Sequence, residues 1–274
     1  MTTIQKVIKY LAIAFGMALT ISIFCLIINI SSSIAKGFNV DSKSDKKDNI
    51  YQIDKNISYL DVDVEFSNLT IKKGDKFFAE SNNKYINIKQ DENKLQIKEK
   101  KHIKLDGKLD ELTIYIPEDL KLDVVNIENG AGTLNIESLT ADKLKLSLGA
   151  GRVTIDYLDV KSSDIETGAG KFEIKNGNIN NLDLDLGVGE SNVTSKITGY
   201  NEIDTGVGSF KLNLIGSKED YEITASKGLG NIIIDGKNVV DKQIVGTGEN
   251  IIKIDGGIGE ITVTFNNNNK QEAL

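Results

Sequence analysis

A Gly-x-Gly triplet that returns at a fixed interval is the feature that most constrains the fold of this chain. Five successive triplets are spaced 19 residues apart, with first glycines at Gly130, Gly149, Gly168, Gly187 and Gly206. Two more begin at Gly228 and Gly257, at wider spacings of 22 and 29 residues. A fixed period of this length is typical of a repeat protein whose units stack on one another.

Side chains on both sides of the triplet keep an apolar character from unit to unit. Three residues before the first glycine come Ile127, Leu146, Ile165, Leu184, Ile203, Ala225 and Ile254. Four and six residues after it, all but Ser191 are apolar, as in the pairs Leu134 and Ile136 or Phe172 and Ile174. Apolar residues two apart are the periodicity of a strand with one buried face.

The triplets are predicted to mark corners of the chain. The apolar residues step by two as far as the middle of the triplet, by three across the second glycine, and then by two again. An odd step inside a flat strand would turn every later apolar residue outward, so the chain must bend there, and glycine adopts φ > 0 at the lowest cost. The predicted corner glycines are Gly130, Gly132, Gly149, Gly151, Gly168, Gly170, Gly187, Gly189, Gly206, Gly208, Gly228, Gly230, Gly257 and Gly259.

One such unit has two short strands and cannot bury its apolar row alone. Parallel stacking of units about 4.8 Å apart would align those rows into one core. The predicted fold is therefore all-β, a parallel β-solenoid (β-helix) of about 19-residue coils, preceded by one transmembrane helix. An antiparallel sandwich or barrel is the alternative, but it gives no reason for the fixed interval. The register of the last two coils is left open by their wider spacing.

The N-terminal part of the chain predicts a membrane anchor. Residues 10–30 carry no charge and follow Lys6 and Lys9, which favours a bilayer-spanning signal anchor with its N-terminus in the cytoplasm. A cleaved signal peptide is the alternative, with small residues at Ser33 and Ala35. The single cysteine, Cys25, lies inside this run, so the exported part has no disulfide framework.

The domain organisation follows from these segments. We predict a cytoplasmic N-terminus over residues 1–9, the transmembrane signal anchor over 10–30, and a polar tether over 31–50. The β-solenoid domain is predicted over 51–265, with its triplet-free first part as the atypical end coils, and a polar tail over 266–274. The predicted localisation is the cell membrane, single-pass, with the solenoid outside.

Two segments and the repeat itself resemble the bacterial putative-adhesin family of β-strand repeats. The segments are residues 114–118, Ile-Tyr-Ile-Pro-Glu, and residues 125–132, Val-Asn-Ile-Glu-Asn-Gly-Ala-Gly. The resemblance covers roughly residues 57–265. It implies a parallel β-solenoid on the cell envelope, of largely unassigned function and with no established catalytic or binding residues.

The motifs of enzymes and cofactor sites are missing from the sequence. The triplets lack the third glycine and the following helix of a dinucleotide site, so no cofactor is predicted. His102 is the only histidine, which rules out a histidine-based triad or zinc site. A net charge of −7 with a single arginine, Arg152, argues against nucleic acid as a partner.

One outward-facing patch is the only candidate binding site. The positions four and two residues before the first glycine are acidic in three consecutive units, at Asp164, Glu166, Asp183, Asp185, Glu202 and Asp204. Stacking would bring like charges within about 5 Å, where they repel. Either this is a solvated acidic face, or extracellular cations or a basic partner neutralise it. Weak calcium binding is the most that we expect, since carboxylates on rigid strands project in parallel.

These observations favour a membrane-anchored extracellular interaction protein, an adhesin or envelope scaffold without catalysis. Its predicted partners are the lipid bilayer, through residues 10–30, and an envelope protein or cell-wall polymer. An accessory envelope-stress sensor acting through a membrane partner is the first alternative. A polysaccharide-cleaving solenoid enzyme is the second, because paired carboxylates are plentiful.

Overall fold

The structure is a computed structural model that describes residues 49–54, 56–100, 109–226 and 228–266. All regular structure in these ranges is β-strand, apart from one 3₁₀ turn at Lys218–Asp220. The strands are β1 Asn49–Gln52, β2 Tyr59–Val64, β3 Ser67–Gly74, β4 Phe78–Ser81, β5 Ile86–Asp91, β6 Lys94–Glu99, β7 Asp110–Pro117, β8 Leu122–Ile136, β9 Leu139–Ile155, β10 Leu158–Ile174, β11 Gly177–Asn180, β12 Leu182–Thr198, β13 Tyr200–Ile215, β14 Tyr221–Ser226, β15 Leu229–Ile234, β16 Lys237–Asn238, β17 Ile244–Val245, β18 Asn250–Asp255 and β19 Ile258–Asn266.

The regular part of the fold is a stack of parallel coils in the order β8, β9, β10, β12 and β13. Leu139 of β9 pairs with Leu158 of β10, and the same 19-residue offset continues between Asp183 of β12 and Glu202 of β13. Equivalent side chains therefore lie in columns along the stack, and the inward columns merge into one core. The prediction of an all-β, parallel, solenoid-like fold is confirmed, and the parallel register rejects the antiparallel sandwich or barrel.

Each coil bends at more places than predicted. In β9 and the start of β10, the inward residues step by three between Ala141 and Leu144, across the triplet, and again between Ile155 and Leu158. The sequence predicted only the odd step at the triplet. The two other bends carry no glycine in most coils, and residues such as Asp142 and Tyr157 occupy them.

The C-terminal coils do not stack in chain order. β18 and β19 pair in parallel with β13 on one side and with β14 and β15 on the other. The last coil of the chain is thus inserted between the regular coils and the coil that precedes it. Among the described residues, only the short antiparallel strands β16 and β17 pair with the outer edge.

The N-terminal end repeats this arrangement. β2 and β3, the first coil, pair in parallel with β8, and β6 and β7 pair with their outer side. Antiparallel strands β5 and β4 then flank β6 and β7, and β1 pairs with β4. β1 begins at Asn49, so β-structure extends into the last two residues of the predicted tether.

At this end a buried carboxylate accepts hydrogen bonds from backbone N–H groups of the first coil. Glu99 accepts hydrogen bonds from the backbone N–H groups of Glu65 and Phe66, at 2.9 and 3.0 Å, and from Asn83 Nδ2 at 2.7 Å. Elsewhere the backbone of a neighbouring coil meets such groups, as where Ala131 N donates to Glu65 O. Glu99 thereby satisfies donors that would otherwise be orphaned where the coils end.

The core is almost entirely aliphatic, as a sequence with 6% aromatic residues and no tryptophan requires. Isoleucine, leucine and valine fill most inward positions, and Tyr221 is the largest side chain that is fully buried. Such branched side chains pack well on a pleated surface.

The described ranges contain no helix with the length and apolarity needed to cross a bilayer. The predicted cytoplasmic segment and signal anchor lie outside those ranges, as do most of the tether, His102 and the tail beyond Asn266. These assignments stay predictions.

Candidate functional site: an acidic face of the coil stack

The six predicted acidic residues lie in two neighbouring columns on one side of the stack. Asp164 pairs with Asp183, which pairs with Glu202. Glu166 pairs with Asp185, which pairs with Asp204. Their side chains alternate with the buried Ile165, Leu184 and Ile203, so the strand pleat directs them outward. We call these two columns, together with Asp255, the acidic face.

Asp255 extends the second column. It pairs with Asp204 because β18 lies directly beside β13, and it brings a fourth carboxylate into line with Glu166, Asp185 and Asp204. The row ends at Ser226 of β14. Like charges directly opposite each other destabilise a sheet, so this column carries an electrostatic cost.

Lysines border the first column at both ends. Lys145 Nζ lies 2.7 Å from Asp164 Oδ2 in an exposed ion pair. At the other end Lys253 pairs with Glu202 in register, and its ammonium donates to Tyr200 Oη, which in turn donates to Glu202 Oε1 at 2.7 Å. Between these lysines, Asp183 has no ion-pair partner among the described residues, and neither do Asp185 and Asp204 of the second column.

The pKa values of these three aspartates are all raised, by burial and by the neighbouring carboxylates. Burial, followed by the charges of Asp164 and Glu202, raises the pKa of Asp183. Burial and the charge of Asp183 raise the pKa of Asp185. The pKa of Asp204 is raised to about 6, by partial desolvation first and then by Asp255 and Asp185. Because the Asp204 residue remains exposed, the repulsion is moderated by solvent.

A surface groove lies where the acidic face meets the N-terminal coils. Its volume is about 500 Å³, and its walls include the acidic side chains of Asp63, Glu65 and Glu128 beside the ring of Phe66. Asp63 pairs in register with Glu128, and Ser147 of β9 lies between Glu128 and Glu166, so the groove lies in line with the second column, one uncharged position beyond it. The described residues that line it include no lysine or arginine. Asp63 makes a 3.6 Å ion pair with Lys98 at the rim.

The triplets form a glycine corner next to this face. The second glycines have φ between +138° and +153°, whereas the first glycines lie outside the left-handed region. Both are held against the preceding coil: a Cβ on Gly130 would lie 2.8 Å from Glu65 O, and one on Gly168 would overlap Gly149 O. Close backbone approach therefore requires glycine at the first position, and backbone conformation adds to it at the second.

A narrow cavity of about 50 Å³ runs inside the glycine corner. Asn129 points inward there, 5% exposed, and its Nδ2 has no hydrogen-bond partner in the described part of the chain. The cavity has room for about one or two water molecules, not for an organic ligand.

No group of three or more His, Cys, Asp or Glu side chains within the described ranges is arranged to hold a metal ion. The carboxylates of the acidic face project side by side from parallel strands, which suits a row of separate charges better than one coordination sphere. Weak calcium binding by this face stays a prediction.

The sequence did not identify Asp255, Lys145 or Lys253 as part of the site. Alignment on the triplets places Lys145 four residues before Gly149, and Lys253 and Asp255 four and two before Gly257. That alignment contains the signal for all three. The adjacency of Asp255 to Asp204, however, depends on the inserted coil, which chain order does not reveal.

Comparison with protein families identifies the domain. A family model described as Toastrack DUF4097 matches residues 57–247, which is well over half of the chain. No curated protein matches.

Solved structures with a similar chain course carry adhesin names. A putative adhesin from Bacteroides fragilis is 16% identical with a TM-score of 0.45, and covers 80% of this chain and 98% of its own. A putative cell adhesion protein from Clostridium sporogenes is 15% identical with a TM-score of 0.34, covering 80% and 99%. A putative adhesin from Parabacteroides distasonis is also 15% identical, with a TM-score of 0.37, covering 80% and 96%.

Proposed function

We propose that this chain, which belongs to the Toastrack DUF4097 family, is a non-catalytic interaction protein of the cell envelope whose acidic face binds a positively charged partner. Residues 10–30 would anchor it in the membrane and present the β-domain outside the cell. The observation that carries the proposal is the pair of carboxylate columns whose central members lack ion-pair partners.

A cationic partner would reduce the repulsion between the carboxylates of the acidic face. Each like-charged neighbour pair raises the energy of the free protein. Burial is the first cause of the raised pKa values of Asp183, Asp185 and Asp204, and the neighbouring carboxylates add to it. A cationic partner would remove that repulsion while forming its own attractive contacts, so binding and stability would rise together. A face kept acidic only for solubility would not need its charges in adjacent columns.

The geometry favours an extended partner. Neighbouring strands in a sheet are about 4.8 Å apart, so the acidic face presents a regular row of charges along the stack. The groove at Asp63, Phe66 and Glu128 lies at the end of that row. We infer that a lysine- or arginine-rich segment of an envelope protein would lie along the columns and end in the groove.

A binding measurement with a defined probe tests this. The full chain in detergent micelles should bind oligolysine but not oligoglutamate, with affinity that falls as salt rises. Asp183→Asn with Asp185→Asn should weaken binding by about tenfold, or about 1.4 kcal/mol.

The matched control removes two charges from other sides of the neighbouring coil, by Asp159→Asn with Glu173→Gln in β10. It should leave binding within about twofold. Equal losses in the two double variants would mean that only net charge matters, and the acidic face would not be the binding surface.

A further inference from the structure

Asn176 is an exposed asparagine that is followed by a glycine. The sequence contains two Asn-Gly pairs, Asn129-Gly130 and Asn176-Gly177. The absence of a Cβ on the following glycine leaves the next backbone nitrogen free to approach the asparagine side chain. In this fold the two asparagines lie in opposite environments: Asn129 is buried, whereas Asn176 is exposed and precedes the buried Gly177.

At Asn176 a hydrogen bond joins the side-chain amide to the next backbone nitrogen. The residue is exposed at the bend between β10 and β11, and the Gly177 N–H donates to Asn176 Oδ1 at 2.8 Å. That hydrogen bond holds the Gly177 nitrogen beside Cγ, the carbon that it must attack. The Gly177 N–H thus donates to the side chain of the residue that precedes it.

Asn129 serves as an internal reference. It lies within β8 with only 5% of its surface exposed, and its backbone is fixed between β2 and β9. Attack there would require local opening of several paired coils.

We propose that Asn176 is a site of spontaneous deamidation in the folded protein. The Gly177 nitrogen loses its proton and bonds to Asn176 Cγ, the Cγ–Nδ2 bond breaks, and ammonia leaves. Water then opens the cyclic imide at either carbonyl. The products are aspartate at 176, or isoaspartate, in which the main chain runs through the former side chain.

The two products act differently on the fold. Aspartate adds a charge at an exposed bend and keeps the backbone. Isoaspartate lengthens the backbone by one carbon at a position where Asn176 O accepts a hydrogen bond from Leu158 N, at 3.1 Å. It therefore shifts β11 against β10 and disturbs the stack at one coil.

The experiment follows both Asn-Gly pairs by peptide mass mapping of the full chain, incubated at mildly alkaline pH either folded in detergent micelles or unfolded in denaturant. In the folded chain, modification at Asn176 should be at least about tenfold faster than at Asn129, because Asn129 needs local opening first. In the unfolded chain the two rates should converge. Equal modification rates at Asn176 and Asn129 in the folded chain would overturn the proposal. So would a folded chain whose Asn176 is still unmodified when the unfolded chain has already reacted.

Two variants distinguish the deamidation reaction from the effect of the negative charge that it adds. Asn176→Gln should abolish the fast modification, because the longer side chain disfavours the five-membered ring. Asn176→Asp supplies the charge without the longer backbone, so it should melt like the fresh protein. If aged protein with a high isoaspartate content melts no lower than Asn176→Asp, the proposed disturbance of β11 is wrong.

Discussion

Asp204 of β13 and Asp255 of β18 lie directly opposite each other in neighbouring parallel strands, although a whole coil of the chain separates them in sequence. Their juxtaposition exists only because β18 and β19 are inserted beside β13. It places two like charges side by side at the junction between the regular coils and the C-terminal end, where burial and then the charge of Asp255 raise the pKa of Asp204 to about 6.

The pKa of Asp204 predicts how stability depends on pH. Its value of about 6 in the folded chain lies above the ordinary 3.8, so folding favours the protonated form. The stability that this protonation contributes is fully present below about pH 3.8 and is lost as pH rises through about 6. Asp204→Asn should therefore raise the melting temperature at pH 7 and leave it unchanged near pH 4. The gain in the free energy of unfolding at pH 7 should be no more than about 1 kcal/mol, because the residue is exposed. Thermal melting across this pH range checks it.

Asp159→Asn, on another side of the stack, is the control and should show no such pH-dependent gain. An Asp204→Asn protein that is less stable than the parent at pH 7 would show that Asp204 makes a favourable contact instead.

The glycine corner predicts different costs for two alanine substitutions. A Cβ at Gly168 would overlap Gly149 O although the φ of Gly168 is ordinary, whereas Gly236 has φ +71° and nothing within 4 Å of the added Cβ. Gly168→Ala should cost about 3 kcal/mol, because the coils must move apart. Gly236→Ala should cost only about 1 kcal/mol, the penalty of the left-handed conformation. Urea denaturation measures both, and similar costs would contradict the close-approach argument.

Asn201 should be the most sensitive polar position of the C-terminal junction. It is fully buried, accepts from Leu182 N at 2.8 Å and donates to the carbonyls of Gly199 and Ile251, at 3.2 and 3.0 Å. Asn201→Ala leaves these groups unpaired and should cost about 2 to 4 kcal/mol.

The exposed Asn178, whose side chain donates to Tyr157 Oη at 3.2 Å, is the matched control for Asn201. Asn178→Ala should stay within about 0.5 kcal/mol. If the two variants unfold at the same denaturant concentration, Asn201 does not fix β18 in place.

The membrane topology can be tested on cells. If residues 10–30 are a signal anchor, protease added to cells stripped of their wall should digest or release the β-domain. Full protection of the domain would reject an extracellular location. A soluble, unanchored β-domain in the medium would instead favour the cleaved signal peptide.

The regular coils could be predicted from sequence because one structural requirement recurs in every unit. Each triplet must pass close to the backbone of the coil before it, and alternating apolar residues such as Val153 and Ile155 fix the inward face. The two other bends left no comparable signal, since residues such as Asp142 and Tyr157 occur there without a shared type. The order of the end coils is also hidden, because pairing between β13 and β18 depends on tertiary contacts that local periodicity does not encode.

The inserted coils have a consequence for how such a chain can change length during evolution. At each end, a strand pair closes the stack by fitting between two segments that follow each other in the chain. β2 and β3 lie between β8 and the pair β6 and β7, and β18 and β19 lie between β13 and the pair β14 and β15. Duplicating an end coil would break these pairings, whereas duplicating one 19-residue unit between β9 and β12 would preserve every contact at both ends. Relatives with longer or shorter stacks should therefore differ by whole internal units, with their two closures inherited intact.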